Sequence, residues 1–291
     1  MKYKRKPSWL KTNTLGALRS SEIRRKLRER NLHTVCESAK CPNLGECFEN
    51  GTATFMILGD TCTRNCRFCA INNNIEDLVP VDSEEPIKIA ELSKDLGLKH
   101  IVITTVTRDD LEDGGASQFV HVINKIRKIC NEEVTVEVLI SDLQGNVNAL
   151  NKIIDASPDV LNHNVETIQR LYPEVRPMAN FARSLNILKN ANIRNKNIIT
   201  KSGFMVGLGE EKKEVLSLME QLRKANVDVI TIGQYIAPSK KHYEVVEYVH
   251  PEIFKYYTTK GRSMGFKLVE SGPLVRSSYH AEKARKIINF R

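Results

Sequence analysis

Six of the chain's seven cysteines are crowded between positions 36 and 69. They fall into two triplets. Cys36, Cys41 and Cys47 are spaced C-x4-C-x5-C in CESAKCPNLGEC, and Cys62, Cys66 and Cys69 are spaced C-x3-C-x2-C in CTRNCRFC. Loops this short can turn three thiolates toward one centre, and soft thiolate ligands select zinc, Cu(I) or iron–sulfur clusters. A structural zinc site closes with four ligands. Neither triplet has a fourth cysteine beside it, and the only histidine before Cys69 is His33. A cubane cluster has four irons and usually four cysteine ligands, so three cysteines leave one iron open, and an open position on a metal is where a substrate binds. Spacing alone keeps a disulfide framework or structural zinc open as alternatives. Disulfides need an oxidising compartment, and six cysteines packed into one part of a 291-residue chain do not look like a disulfide scaffold.

The second triplet follows ATFMILGD (53–60), a short apolar run that suits a buried strand. The triplet therefore sits at the C-terminal end of a strand, where α/β barrels carry their chemistry. Beyond it helix and strand signals alternate. Helices are expected at 85–97, 116–130, 146–155, 180–191, 210–224 and 251–264, and strands at 100–106, 133–141, 159–164, 197–207, 228–236 and 266–271. Phe119, Val122, Ile123, Ile126 and Ile129 make one helical face, and Val215, Leu218, Met219 and Leu222 make another. A helix is also expected at 20–31. Strand–helix alternation implies a parallel sheet. A complete eight-fold barrel takes about 250 residues, and roughly 215 remain here once the ends are set aside. The fold class expected is therefore α/β, a partial (β/α)6 TIM-type barrel with terminal extensions. Its divisions are 1–50 carrying the first cysteine loop, 51–270 forming the barrel, and 271–291 as a tail closing the site.

The net charge is +9, with basic clusters at 2–6 and 24–30. These read as a solvated surface or as a face for an acidic partner. No basic stripe interleaved with aromatics marks a nucleic-acid surface, and no run reaches the length of a membrane helix. The first twenty residues lack Asp and Glu, as transit peptides do, but the stretch is short and reads as part of the folded protein. It has no apolar signal core, and clustered free cysteines fit a reducing cytoplasm.

CTRNCRFC resembles the cluster motif of the radical S-adenosylmethionine (SAM) enzymes. Paired with CESAKCPNLGEC and with RSSYHA at 276–281, it resembles the lipoyl synthase family within them. Supporting segments are KPSWLK (6–11), VTRDDLEDGGA (106–116), LNHNVET (161–167), VRP (175–177), KSGFMVGLGE (201–210) and GPLVRSSYHA (272–281), so the likeness spans nearly the whole chain.

The resemblance implies two [4Fe-4S] clusters. One, on Cys62, Cys66 and Cys69, chelates SAM at its open iron. An auxiliary one, on Cys36, Cys41 and Cys47, supplies sulfur and takes its fourth ligand from RSSYHA, for which Ser278 is preferred over Ser277. Phe68 is expected near the first cluster. Asn164, Glu166 and Arg176 are candidate SAM contacts, and Gly207 and Gly209 would let backbone approach the adenine. Asn162, His163, Arg108, Asp109 and Asp110 also stand at strand ends, where caps and solvated loops are as good a reading. Lone Cys130 reads as a small buried hydrophobe.

The activity implied is radical insertion of two sulfur atoms at C6 and C8 of a protein-bound octanoyl-lysine. The partners implied are an octanoylated lipoyl carrier protein or lipoyl domain and a reductant such as ferredoxin or flavodoxin, with no nucleic acid and no membrane. The alternatives are another two-cluster sulfur-inserting enzyme, such as a tRNA methylthiotransferase, and a non-catalytic iron–sulfur carrier.

Overall fold

The computed structural model describes residues 5–10, 17–35, 43, 46–47 and 52–283. Strands β1 (His33–Thr34), β2 (Thr52–Ile57), β3 (His100–Thr105), β4 (Thr135–Leu139), β5 (Val160–Asn162), β6 (Ile199–Val206), β7 (Val229–Gln234) and β8 (Leu268–Gly272) form one sheet in chain order. β1 runs antiparallel to β2, and every later pair is parallel. Helix α1 (Ala17–Glu29) precedes the sheet. The crossovers carry α2 (Glu85–Asp95), α3 (Ala116–Ile129), α4 (Val147–Asp155), α5 (Phe181–Arg194), α6 (Lys212–Lys224) and α7 (Pro251–Ser263). The expected six βα units are present and are followed by β8. The sheet is open, with β1 and β8 at its edges.

The helices seat the apolar faces that the sequence marks. Phe119, Val122, Ile123 and Ile126 on α3 are buried, as are Val215, Leu218, Met219 and Leu222 on α6. Starts are fixed locally. Asn146 accepts from Ala149 N–H, Asn180 accepts from Arg183 N–H, and Glu211 with Glu214 forms a reciprocal cap on α6. β2 ends at Ile57, three residues earlier than the apolar run, because Leu58 and Gly59 take positive φ. The bend is held on both sides. Leu58 N–H donates to the Glu85 carboxylate (3.2 Å), and the Leu58 carbonyl accepts from Arg108 (3.2 Å).

The two faces of the sheet differ. The outer face packs on the helices in two large apolar clusters. On the other, concave face of the partial barrel, Lys201 of β6 reaches Glu137 of β4 across the intervening β5 (2.9 Å). That concave face is the barrel interior. It holds a small apolar group of its own, Val160, Ile199 and Val229 with Leu268 beside them. Next to this lies a buried polar group. Asn162 Nδ2 donates to Glu137 (2.9 Å), and His100 Nε2 lies 3.4 Å from the same carboxylate. No helix among the described residues is long and apolar enough to cross a membrane.

Candidate active site

The bend after β2 delivers the chain into CTRNCRFC, and each part of that loop is tied to a different neighbour. Cys62 N–H bonds the Asn72 carbonyl (2.8 Å), and Thr63 N–H bonds Thr107 in the loop after β3 (2.9 Å). Arg64, almost fully buried, forms a bidentate pair with Asp109 (2.6 and 2.9 Å) and a further bond to the buried Asp142 (2.6 Å). Two strand-end loops thus clamp the cysteine loop through one guanidinium, the geometry in which arginine pairs best. On the far side Arg67 N–H bonds the Val175 carbonyl (2.9 Å), and the Arg67 carbonyl accepts from Tyr243 N–H (2.8 Å). Cys69 N–H closes a turn on the Cys66 carbonyl (3.0 Å). Phe68 is half-buried against the core beneath.

The three thiols are half-buried and free. Burial pushes the Cys69 thiol up to about 12, and the Cys66 and Cys62 sulfurs nearby add to the rise. Burial raises Cys66 as well, against the pull of Arg176. Thiolates, not thiols, bind metal, and a cationic centre would offset the burial that disfavours the Cys66 and Cys69 thiolates. Among the described residues no three His, Cys, Asp or Glu side chains converge to hold one ion. A cubane sets each cysteine on a different iron, and three free, half-buried thiols on one loop fit that donor set.

Facing the loop is the end of β5. Arg176, buried, spends Nη1 on the Asn164 and Val165 carbonyls (3.2 Å each) and on the Tyr172 hydroxyl (3.1 Å). Its Nε and the Asn164 Oδ1 are enclosed without a partner. Burial raises the Glu166 carboxyl, and Arg176 and Asn164 only partly oppose it. Glu166 itself stands at positive φ, a strained backbone of the kind that gathers at functional sites. Buried polar groups normally find partners. The mouth therefore suits a polar, charged ligand such as SAM, and Gly203 keeps the opening clear, because a Cβ there would meet Thr231 Oγ1 (2.6 Å) and Asn164 Oδ1 (2.8 Å).

The other candidates divide. His163 is buried with Nδ1 on the Ile140 carbonyl (2.9 Å), and burial, aided by Arg176, lowers it to about 4. Asn162 belongs to the Glu137 group in the barrel. Asp110 pairs locally with Arg108 (2.8 Å), whereas Asp109 takes Arg64. Gly207 has a packing reason of its own: at φ +95, a Cβ would strike the Gln234 amide and the Glu247 carbonyl. Cys130 caps α3 on the outer ring, half-buried, with no part in the mouth.

The tail meets the first cysteine segment. Asn43 Nδ2 donates to the Leu274 carbonyl (2.7 Å), the Tyr279 hydroxyl bonds Glu46 (3.2 Å), and Tyr279 is pushed up to about 12 by burial and then by Glu46, with Cys47 adding to it. Ser278 lies in this same turn, its carbonyl accepting from Ala281 N–H (3.4 Å). Cys36 and Cys41 lie outside the described residues.

Residues 56–222 match the family model of the radical SAM superfamily, and residues 1–41 match that of the N-terminal domain of lipoyl synthase. The chain is 54% identical to the lipoyl synthase of Caldanaerobacter subterraneus over 281 residues, covering 96% of each. It is 52% identical to that of Caldicellulosiruptor saccharolyticus, covering 98% of this chain and 99% of the relative. The chain belongs to the lipoyl synthase family. Solved structures agree on the fold: methylornithine synthase aligns with a TM-score of 0.57 at 11% identity (93% and 92% of the two chains), and a maturase of the [FeFe]-hydrogenase with 0.54 at 14% identity (93% and 74%).

Membership makes the chain a radical SAM sulfurtransferase that works with [4Fe-4S] clusters and SAM. The full-length likeness to lipoyl synthases leaves the methylthiotransferase and carrier alternatives without support. Sequence reading missed two features of the structure around the site. Arg64 stands inside the cysteine motif itself, and its type was the available signal. The Glu137–Lys201 pair spans 64 residues and leaves no local signal at all.

Proposed function

We propose that Cys62, Cys66 and Cys69 hold the SAM-cleaving cluster of a lipoyl synthase, and that Cys36, Cys41, Cys47 and Ser278 hold the auxiliary one. The observation that carries the first assignment is the half-buried thiol trio on one loop facing the unsatisfied polar groups of Asn164 and Arg176. The second is supported by the tail turn around Ser278 lying against Asn43, Glu46 and Cys47. When bound, the first cluster with SAM supplies a carbon radical that abstracts hydrogen from an unactivated carbon, and the protein's part is to bind, orient and tune.

The residues divide that part among them. Arg64, Asp109 and Asp142 fix the cysteine loop. Arg176 offers a guanidinium edge to a carboxylate, and Asn164 and Glu166 meet the remaining polar groups of SAM. Gly207 sets the backbone beside the ligand. The tail, 271–291, closes the site over the barrel of 51–270, while 1–50 carries the auxiliary loop.

The reaction inserts sulfur at C6 and C8 of an octanoyl group on a carrier protein, and it consumes electrons. The carrier is an octanoylated lipoyl carrier protein or lipoyl domain, the donor is a ferredoxin or flavodoxin, and the setting is the cytoplasm. Anaerobic protein given SAM, dithionite and an octanoyl-lysyl peptide should form 5′-deoxyadenosine and add two sulfurs to the peptide's mass. Replacing Cys62, Cys66 and Cys69 with Ala should remove half the iron and all SAM cleavage. Ser278→Ala should still cleave SAM and make little lipoyl product. Full SAM cleavage by the triple variant would overturn the first assignment, and normal sulfur insertion by Ser278→Ala would overturn that of the serine.

A further inference from the structure

Between β7 and α7 the chain doubles back over the cysteine loop. This strap is anchored at both ends. The Tyr235 hydroxyl bonds the Tyr243 carbonyl (2.6 Å), Gln234 Nε2 bonds the Glu247 carbonyl (2.9 Å), and Gln234 Oε1 accepts from Val249 N–H (2.8 Å). In the middle Tyr243 grips Arg67 twice, through its backbone N–H and through its ring, which lies 5.4 Å from the guanidinium. Its hydroxyl bonds Glu174 (3.1 Å), so the strap and the segment before Arg176 enclose the same turn.

One residue before Tyr243 lies His242, half-buried, its Nε2 3.0 Å from the Cys69 carbonyl oxygen. A carbonyl only accepts, so Nε2 carries the hydrogen. Nδ1 then presents a lone pair, and the Ser239 hydroxyl, 2.9 Å away, donates to it. Ser239 Oγ in turn accepts from Lys241 N–H (3.2 Å). The tautomer is thereby assigned by the network of donors and acceptors.

We propose that His242 is a positioning residue for the cysteine loop, holding the Cys69 peptide by its carbonyl so that the third thiol keeps its place in the cluster. The proposal rests on the reading that Cys62, Cys66 and Cys69 hold that cluster. The other polar backbone contacts of the turn explain why one side chain matters. Cys69 N–H is spent on Cys66, and Arg67 is held at both its N–H and its carbonyl. The Cys69 carbonyl is the last group of the turn, and an imidazole rather than backbone secures it. Groups that orient a metal ligand without touching the metal are worth about 10–100-fold in metal affinity, and hydrogen bonding and solvent exposure around a cluster set its potential.

The test uses the full chain with Cys36, Cys41 and Cys47 replaced by Ala, so that one cluster is read. After anaerobic reconstitution, iron release to a chelator and the midpoint potential by redox-poised electron paramagnetic resonance are compared for the parent and for His242→Ala, His242→Asn and His242→Gln. A glutamine amide N–H reaches where Nε2 does, and an asparagine amide reaches only to Nδ1. The Ala and Asn variants should lose iron about tenfold faster with a shifted potential, and Gln should restore both. If Ala releases iron as slowly as the parent at the same potential, or if Asn and Gln behave alike, His242 has no positioning role. A parent that takes up no iron overturns the cysteine assignment itself, and the role of His242 with it.

Discussion

Glu137, buried inside the barrel, and Glu166, half-buried at its mouth, are carboxylates whose surroundings push them in opposite directions. Burial raises both. At Glu137 the Lys201 ammonium and His100 outweigh burial and hold the group at about 2. At Glu166 the nearest cation, Arg176, has its Nη1 committed to two carbonyls and a phenol, and the carboxyl stays above its ordinary value. Inside the barrel, charge is neutralised by charge already present. At the mouth the polar groups outnumber their partners, and the deficit sits opposite the cysteine loop. A carboxylate met by a cation marks where the fold is held, and a carboxyl that its cation only partly offsets marks where a ligand is received.

The sharpest way to break this contrast is at Glu137. Glu137→Gln leaves the Lys201 ammonium buried without its counter-ion, and stability to denaturant should fall by about 3–5 kcal/mol, the range for breaking a buried pair. Replacing Glu137 and Lys201 together with methionine should recover most of it. A single-variant loss below about 1 kcal/mol, the scale of an exposed pair, would mean that the pair does not anchor the barrel.

His163 gives the next effect. Its folded pKa, about 4, lies below the ordinary 6.5, so the unfolded chain takes up the proton first. Stability from this group is whole above pH 6.5 and is lost as pH falls toward 4, amounting to about 3 kcal/mol. Unfolding midpoints of wild type and His163→Gln should converge on acidification, and parallel pH profiles would contradict the buried neutral imidazole.

Glu166→Gln tests the mouth. It replaces a carboxyl that burial holds above its ordinary value and that Arg176 only partly offsets, so stability should move by less than about 1 kcal/mol, while SAM binding, followed by anaerobic equilibrium dialysis, weakens several-fold. A large stability loss with unchanged SAM binding would place Glu166 with Glu137 instead. The smallest effect belongs to the exposed Arg194–Asp155 pair (2.8 Å), where a double-mutant cycle should return about 0.5 kcal/mol or less and shrink with salt.

The alternation of strands and helices was legible because each element repeats a simple period. The face Phe119, Val122, Ile123 and Ile126 needs only a helix to be found. Boundaries slipped where tertiary contacts decide them, as at Leu58, bent by Glu85 and Arg108 from distant segments. The cysteine loop was visible because its ligands are local. What fixes the loop was not. In EVTVEVLIS, Thr135 and Glu137 alternate with Val134, Val136 and Val138, a pattern that ordinarily sends the polar residues to water. In a barrel that face turns inward, and nothing near Glu137 names Lys201 as its partner. Asp109 and Asp110 look equivalent in sequence, yet one serves its own turn and the other clamps Arg64, 45 residues away.

The sheet's open edge has a consequence in time. Residues 274–283 touch both of its flanks: Thr52 of β2 bonds Glu282 (3.4 Å), and Glu270 of β8 pairs with Lys283 (2.8 Å). The first of these contacts joins residues 230 apart in the chain, and Asn43–Leu274 joins residues 231 apart. Contacts so distant form late, because chain entropy must be lost before they are gained. During synthesis every parallel strand is made before the segment that spans the gap between the first and the last of them. The nascent barrel therefore passes through a stage with its side unsealed and its cysteine loop already laid down.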